Sequence, residues 1–226
     1  MMKTYKDYIE CIAAIAKIKE IFRLGYVPPK YMMTYTPNYF GELNCFAHAV
    51  CSFPNKILQT INFSGQTDRV FDLIQNEEKT SASEIENEFY ERIDRFGLTT
   101  EKCDMSGECD EKSWKIRLYS GSYNDFHLLK QDGHTFSHKA GWKGQALKIA
   151  LLPENFKIIR NENSLSMLFD SKRKKNYGAY GPSFHIEETE EREGRYVYNV
   201  IGDFKITNPN GKPYSEKLVD KIVRGL

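Results

Sequence analysis

Between two strand-like runs, Asp125-Phe126-His127-Leu128-Leu129-Lys130-Gln131 and His134-Thr135-Phe136-Ser137-His138, stands the pair Asp132-Gly133. Asp-Gly flanked by such runs is the strong local signal for a two-residue hairpin, because a type I′ turn needs positive φ at both central residues. That turn dictates the pairing on either side of it. Centred on Asp132-Gly133, it sets His127 opposite His138 and Leu129 opposite Phe136, with opposed Cβ atoms about 4.5–5.5 Å apart. The two imidazoles then share one face, and a slip of one residue would separate them.

Far upstream, Asn44-Cys45 opens an apolar segment. Asn44 is a good N-cap residue. Phe46, Ala49, Val50 and Phe53 follow at the spacing of a buried helical face, and Pro54 predicts a stop by Phe53. A cysteine in the first turn meets the positive end of the helix, which predicts a stabilised thiolate and a lowered pKa. Backbone N–H groups there can also hold an oxyanion. A thiol at a helix start with two imidazoles on neighbouring strands is the equipment of cysteine-based acyl transfer: nucleophile, general base, and a group that orients the base. The competing reading of Cys45 is a small buried hydrophobe. His48, one turn further on, points along the helix side and reads as packing; His134, nearest the turn, reads as exposed; His185 has no legible context.

The segment Asn44-Cys45-Phe46-Ala47-His48-Ala49-Val50 resembles the NCYAYAL nucleophile segment of papain-like bacterial cysteine hydrolases. Asp125 to Gly133, followed by Phe136-Ser137-His138-Lys139-Ala140-Gly141, resembles their DYHFYRQD and WSHKPG hairpin. The likeness covers roughly residues 40–145 and departs at Lys130, where arginine is usual, and at Ala140, where proline is usual. That superfamily also holds NlpC-type and CHAP cell-wall amidases, and in the NlpC type the orienting residue is often a histidine. The resemblance implies a papain-like core with Cys45 as nucleophile, His127 as general base and His138 as orienting residue. It also implies an amide donor to the oxyanion shortly before the cysteine. Tyr39 stands at the usual position, leaving neighbouring Asn38, beside Asn44, as the candidates. Should His138 point away, Asp170 or Asp203 would have to replace it.

The chain has 226 residues, enough for one domain over 1–226 with a sizeable core. A net charge of +1 gives no electrostatic case for nucleic acid or an anionic membrane. Five cysteines without a repeating pattern do not form a disulfide scaffold, and Cys11, Cys51, Cys103 and Cys109 read as free thiols. Cys103 and Cys109 are spaced too widely for an ordinary zinc half-site, and no second pair accompanies them. Neither metal nor cofactor is expected. Residues 1–30 read as an amphipathic helix packed on the domain, with Tyr8, Ile12, Ile15, Ile18 and Phe22 on one face, and Gly25 and Pro28-Pro29 ending it. Its charges rule out the apolar core of a signal peptide, and no run approaches a membrane span. The expected location is the cytoplasm, or export by a signal-independent system.

Asp68–Gln75 reads as a short helix with Val70, Phe71 and Ile74 inward. Ser81 and Ser83 each offer an N-cap with a glutamate three residues on. Ile85, Phe89, Ile93 and Phe96 then form a buried stripe, and Gly97 stands where a C-cap glycine belongs. Residues 99–113 read as loop, Trp114–Tyr119 as strand, then the hairpin. Strands are expected over Ala146–Leu152, Phe156–Ile159 and Tyr196–Ile201. The basic run Lys172–Lys175 and the acidic run Glu187–Glu193 read as solvated faces. Helices first and strands later make an α+β layout. Two functions follow: a cysteine hydrolase or acyl transferase (peptidase, amidase or deamidase) acting on a protein or peptide, or a bacterial or phage effector that engages a host protein through a papain-like scaffold without catalysis.

Overall fold

The computed structural model describes residues 5–30, 44–61, 70–73, 81–121, 125–139, 146–149, 152–160, 166–170, 175–177 and 197–226. The architecture is α+β: helices packed against an antiparallel sheet. The helices are α1 (Tyr5–Arg23), α2 (Asn55–Ile61), α3 (Ala82–Arg95) and α4 (Glu216–Gly225), with a π-helical turn over Ala47–Cys51.

The strands are β1 (Thr99–Lys102), β2 (Ser113–Gly121), β3 (Asp125–Asp132), β4 (Thr135–Lys139), β5 (Ala146–Ile149), β6 (Asn155–Arg160), β7 (Ser166–Asp170), β8 (Lys175–Tyr177) and β9 (Val197–Thr207). They run in the order β5-β4-β3-β2-β9-β6-β7-β8. β9 is the spine. It pairs with β2 along one edge, and its other edge is shared between β6 at Val197–Asn199 and β1 at Phe204–Thr207.

Local chemistry accounts for the clearest elements. Ser81 accepts from the Glu84 N–H while Glu84 reaches back to the Ser81 N–H, closing the capping box that starts α3. The helix stops at Gly97, whose φ of +75° is the left-handed conformation a C-cap glycine supplies. Gly25, at φ +106°, ends α1 in the same way. Asn208 then joins the end of α1 to β9 by donating to the Phe22 and Tyr26 carbonyls at 2.9 and 2.6 Å.

Three expectations are corrected. Residues 99–102 are strand β1, a polar edge held by pairing with β9 rather than by any hydrophobic pattern. The helices α2 and α4 and the strands β7 and β8 lie outside the expected elements, although α4 has a Ser215 N-cap and a buried face of Leu218, Val219 and Ile222 at helical spacing. Of the helix expected over Asp68–Gln75, the described residues 70–73 are mostly irregular, yet Val70 and Phe71 are fully buried. In α1 the buried face is Cys11, Ala14, Ile18, Ile21 and Phe22, while Tyr8 and Ile12 are about half exposed. The acidic run and His185 lie outside the described residues.

Alternation gives the sheet two unlike faces. Trp114, Ile116, Leu118, Phe126 and Leu128 join the main core with α1, α3, α4 and the segment Cys45–Phe53. Tyr119, Leu129, Ile149 and Tyr198 form a smaller cluster on the opposite face. Tyr198 packs against Gly121, where an added Cβ would stand 2.8 Å from the tyrosine ring and 3.1 Å from Asp125. We therefore expect Gly121→Ala to lower the unfolding free energy by about 1–3 kcal/mol through overpacking. In a urea titration the Gly121→Ala/Tyr198→Ala pair should cost less than the sum of the singles, because removing the ring removes the clash; strict additivity would contradict it.

Candidate active site

Asn44 caps the turn that carries Cys45. Its Oδ1 accepts from the Ala47 N–H at 3.0 Å and its Nδ2 donates to the Phe71 carbonyl at 3.1 Å. Both ends of the amide are thus engaged in fixing the chain. Asn38 lies outside the described residues. The turn that follows is π-helical, with the Ser52 N–H reaching the Ala47 carbonyl at 2.9 Å. It ends on Ser52, a non-glycine residue in the left-handed region at φ +39°, whose hydroxyl bonds the His48 carbonyl. Single π turns recur at functional sites because one extra residue re-aims the side chains of a turn.

This turn packs on the sheet face that carries Trp114 and Leu128. The Trp114 indole N–H donates to the Ala49 carbonyl at 3.2 Å, and His48 Nε2 lies 3.1 Å from Ser137 Oγ. His48 is fully buried and serves as a packing contact between the turn and β4.

The hairpin forms, in a different register. Asp132 pairs with Thr135, so Gly133 and His134 are the two turn residues. Gly133 has φ +63° and His134 does not share the positive region, the pattern of a type II′ rather than a type I′ turn. His138 consequently faces Leu129, and Phe136 faces Gln131. The slip is of two residues, an even number, so His127 and His138 remain on one face as diagonal neighbours. Their rings meet with His127 Nε2 3.2 Å from His138 Nδ1. Tyr198 from β9 lies on the same face, its ring 5.5 Å from that of His127 and its hydroxyl donating to Asp125 Oδ2 at 2.6 Å.

Cys45 and the imidazole pair therefore come from opposite sides of β3. The thiol meets them at the strand itself: Sγ lies 3.8 Å from the Phe126 carbonyl oxygen and accepts from the Leu128 N–H, on either side of His127. Both of these partners are backbone groups of β3. Asp203, weighed as an alternative orienting group, grips Arg117 through both carboxylate oxygens at 2.5 and 2.7 Å. Asp170 sits on β7, four strands from β3, about 19 Å away along the sheet at ~4.8 Å per strand. Neither orients His127.

The electrostatics reverse one expectation. Cys45 is 4% exposed. Burial first, then the Asp125 carboxylate, pushes its thiol well above the ordinary range, and the helix-start effect does not win. Burial also pushes the His127 and His48 imidazoles well below their usual value, and pushes His138 down to about 4. At neutral pH the site holds a thiol and neutral imidazoles. Lys130 and Lys139, on the helix-facing side, are pushed down to about 8 by burial. Sequence reasoning missed Ser137, Lys139, Asp125 and Tyr198. The first three were legible as neighbours on the hairpin; Tyr198, from the far end of β9, left no local signal. Among the described residues no group of histidine, cysteine and acidic side chains has metal-site geometry, and no helix is long and apolar enough to cross a membrane.

These neutral imidazoles make stability fall with acid. Each binds its proton more weakly folded than unfolded, so the stabilisation is complete above the unfolded value of 6.5 and drains as pH falls towards the folded one. For His138 the window runs from 6.5 down to about 4, worth about 3 kcal/mol at 1.36 per unit. The urea midpoint should be lower at pH 4.5 than at pH 7, and the drop should shrink in His138→Gln. A midpoint independent of pH over that range would mean that the imidazoles are not held neutral.

No known protein family matches the chain, and neither a characterised protein nor a solved structure is significantly similar to it; the likeness to papain-like hydrolases rests on the residues quoted for it.

Proposed function

We propose that this protein is a cysteine-dependent hydrolase or acyl transferase on a papain-like core, acting on an amide bond of a protein or peptide through Cys45, His127 and His138. The observation that carries the reading is the position of the Cys45 sulfur against the backbone on either side of His127, while His127 Nε2 is engaged by His138 Nδ1 at 3.2 Å.

His127 Nε2 lies against His138, so the proton transfer from the thiol is assigned to Nδ1, the nitrogen nearer the strand backbone. To act as a base there, His127 must be the Nε2–H tautomer, donating to His138 Nδ1. Because burial favours the neutral thiol, sulfur attack and proton transfer are concerted. As the S–C bond forms, the thiol proton passes to His127 Nδ1, and the substrate oxygen gains charge against the Cys45 backbone N–H. His127 then returns that proton to the departing amine as the C–N bond breaks, leaving an acyl-thioester. Water or an amine attacks the thioester, giving its proton to His127, which passes it to the sulfur as the C–S bond breaks. Water as the entering nucleophile gives hydrolysis when a peptide bond was attacked and deamidation when a side-chain amide was, with ammonia as the leaving group; an amine gives transamidation.

A peptide vinyl sulfone, which needs an activated thiol, tests the assignment with labelling mapped by mass spectrometry. We expect Cys45 to be labelled in the wild type and not in Cys45→Ala. Labelling should fall about 10²–10⁴-fold in His127→Ala, the usual contribution of a general base. His138→Ala should be milder, because His138 orients the ring and carries no proton to substrate. The His127/His138 double variant should be little worse than His127→Ala, as for residues acting as a unit. Equal labelling in wild type and His127→Ala would leave the non-catalytic scaffold as the better reading.

A further inference from the structure

Two lysines are buried on the helix-facing side of the hairpin, and the acyl-transfer chemistry above uses neither. Lys130 is accounted for: its Nζ donates to the Pro29 carbonyl at 2.8 Å and it feels the Asp132 carboxylate. Lys139 is the lysine whose charge acts on Cys45. It is fully buried, and it follows His138 on β4, so its side chain leaves on the opposite face from the imidazole pair. Continuing the observed register by one step sets Lys139 across from Leu128, whose N–H meets the Cys45 sulfur. Ser137, two residues earlier and on the same face, already touches the π turn through His48. Register, alternation and the His48 contact all bring Lys139 to the turn that bears the thiol.

Resting on the hydrolase reading, we propose that Lys139 is the counter-charge of the Cys45 thiolate: a buried ammonium on the helix side of β3 that stabilises negative charge on sulfur while His127, on the other side, handles the proton. Lys139 forms and breaks no bond and keeps its own protons throughout. The charges around the sulfur make this role necessary. Asp125 on β3 and Asp72 in the segment preceding α3 oppose the thiolate, Lys139 favours it, and the neutral imidazoles of His48, His127 and His138 add no charge. The coupling runs both ways, since negative sulfur also favours the ammonium. With its pKa pushed down to about 8, Lys139 is still mostly charged at pH 7. A cation in a dry site acts far more strongly than one in water.

The test reads the thiol itself, without substrate. Iodoacetamide alkylation of Cys45 is followed by mass spectrometry between pH 7 and 10 in the wild type, Lys139→Met, Lys139→Arg and Lys130→Met. Each rate is divided by that of Cys51, fully buried on the same turn, so that local opening cancels. We expect Lys139→Met to slow Cys45 about tenfold near pH 8, the change in thiolate fraction that one pKa unit produces. Lys139→Arg should recover most of the rate and Lys130→Met should match the wild type. If Lys139→Met does not fold by circular dichroism, Lys139→Gln takes its place with the same expectation. An unchanged Cys45 ratio in the neutral variant, or an equal loss in Lys130→Met, would overturn the counter-charge. Absence of vinyl sulfone labelling in the wild type would instead overturn the hydrolase reading, and the alkylation ratios would still report whether Lys139 acts on the sulfur.

Discussion

The seating of one short turn on one hairpin organises the site. Asn44 fastens the start of that turn to the Phe71 carbonyl, the Trp114 indole holds its middle at Ala49, and His48 joins it to Ser137. Around these polar points lie Phe46, Ala49, Val50 and Phe53, all fully buried. The three hydrogen bonds are individually modest, about 0.5–1.5 kcal/mol each net. Their importance is directional. Apolar burial brings the turn to the sheet, and the bonds decide which residue of the turn lies against β3. That residue is Cys45.

Desolvation then sets the character of the site. The same burial that excludes water raises the thiol, lowers three imidazoles and lowers two lysines. At rest the sulfur and the imidazoles carry no charge, while Lys139 remains mostly an ammonium at pH 7. In the proposed acyl transfer, charge has to be created at the sulfur and the substrate oxygen, where fixed dipoles and a nearby ammonium are worth most because no water must reorganise around them. This distinguishes the arrangement from a thiolate–imidazolium pair preformed at a helix end, and it is compatible with the proposal that a proton carrier and a counter-charge occupy opposite faces of one strand.

The two faces are joined by β9. Through β2 it supports the hairpin, and through Tyr198 it reaches both His127 and Asp125. Gly121 leaves the space that the tyrosine ring fills. A strand some seventy residues beyond the hairpin thus shapes the surroundings of the imidazole pair, which is why the last third of the chain matters to a site whose recognisable residues all lie before it.

Much of this was legible from local chemistry. The α3 capping box and its Gly97 stop, the Asn44 cap, the β2–β3–β4 run and the shared face of His127 and His138 follow from side chains acting on their own backbone within a few residues. The shared face survived even a mistaken register, because strand alternation has period two and the slip was of two residues. What tertiary structure alone decided was longer in range. The choice of Gly133-His134 over Asp132-Gly133 as the turn depends on what β3 and β4 pack against, since both pairs put a glycine at a position that accepts positive φ. The π turn depends on what the Cys45 segment must reach. The raised thiol depends on complete burial, an effect larger than the pull of one helix end and invisible to any reading of neighbours along the chain. The partnership of Lys139 with Cys45 and of Tyr198 with His127 exists only once strands distant in sequence lie side by side, because a Coulomb interaction or a ring contact is set by separation in space, and separation in space is what folding determines.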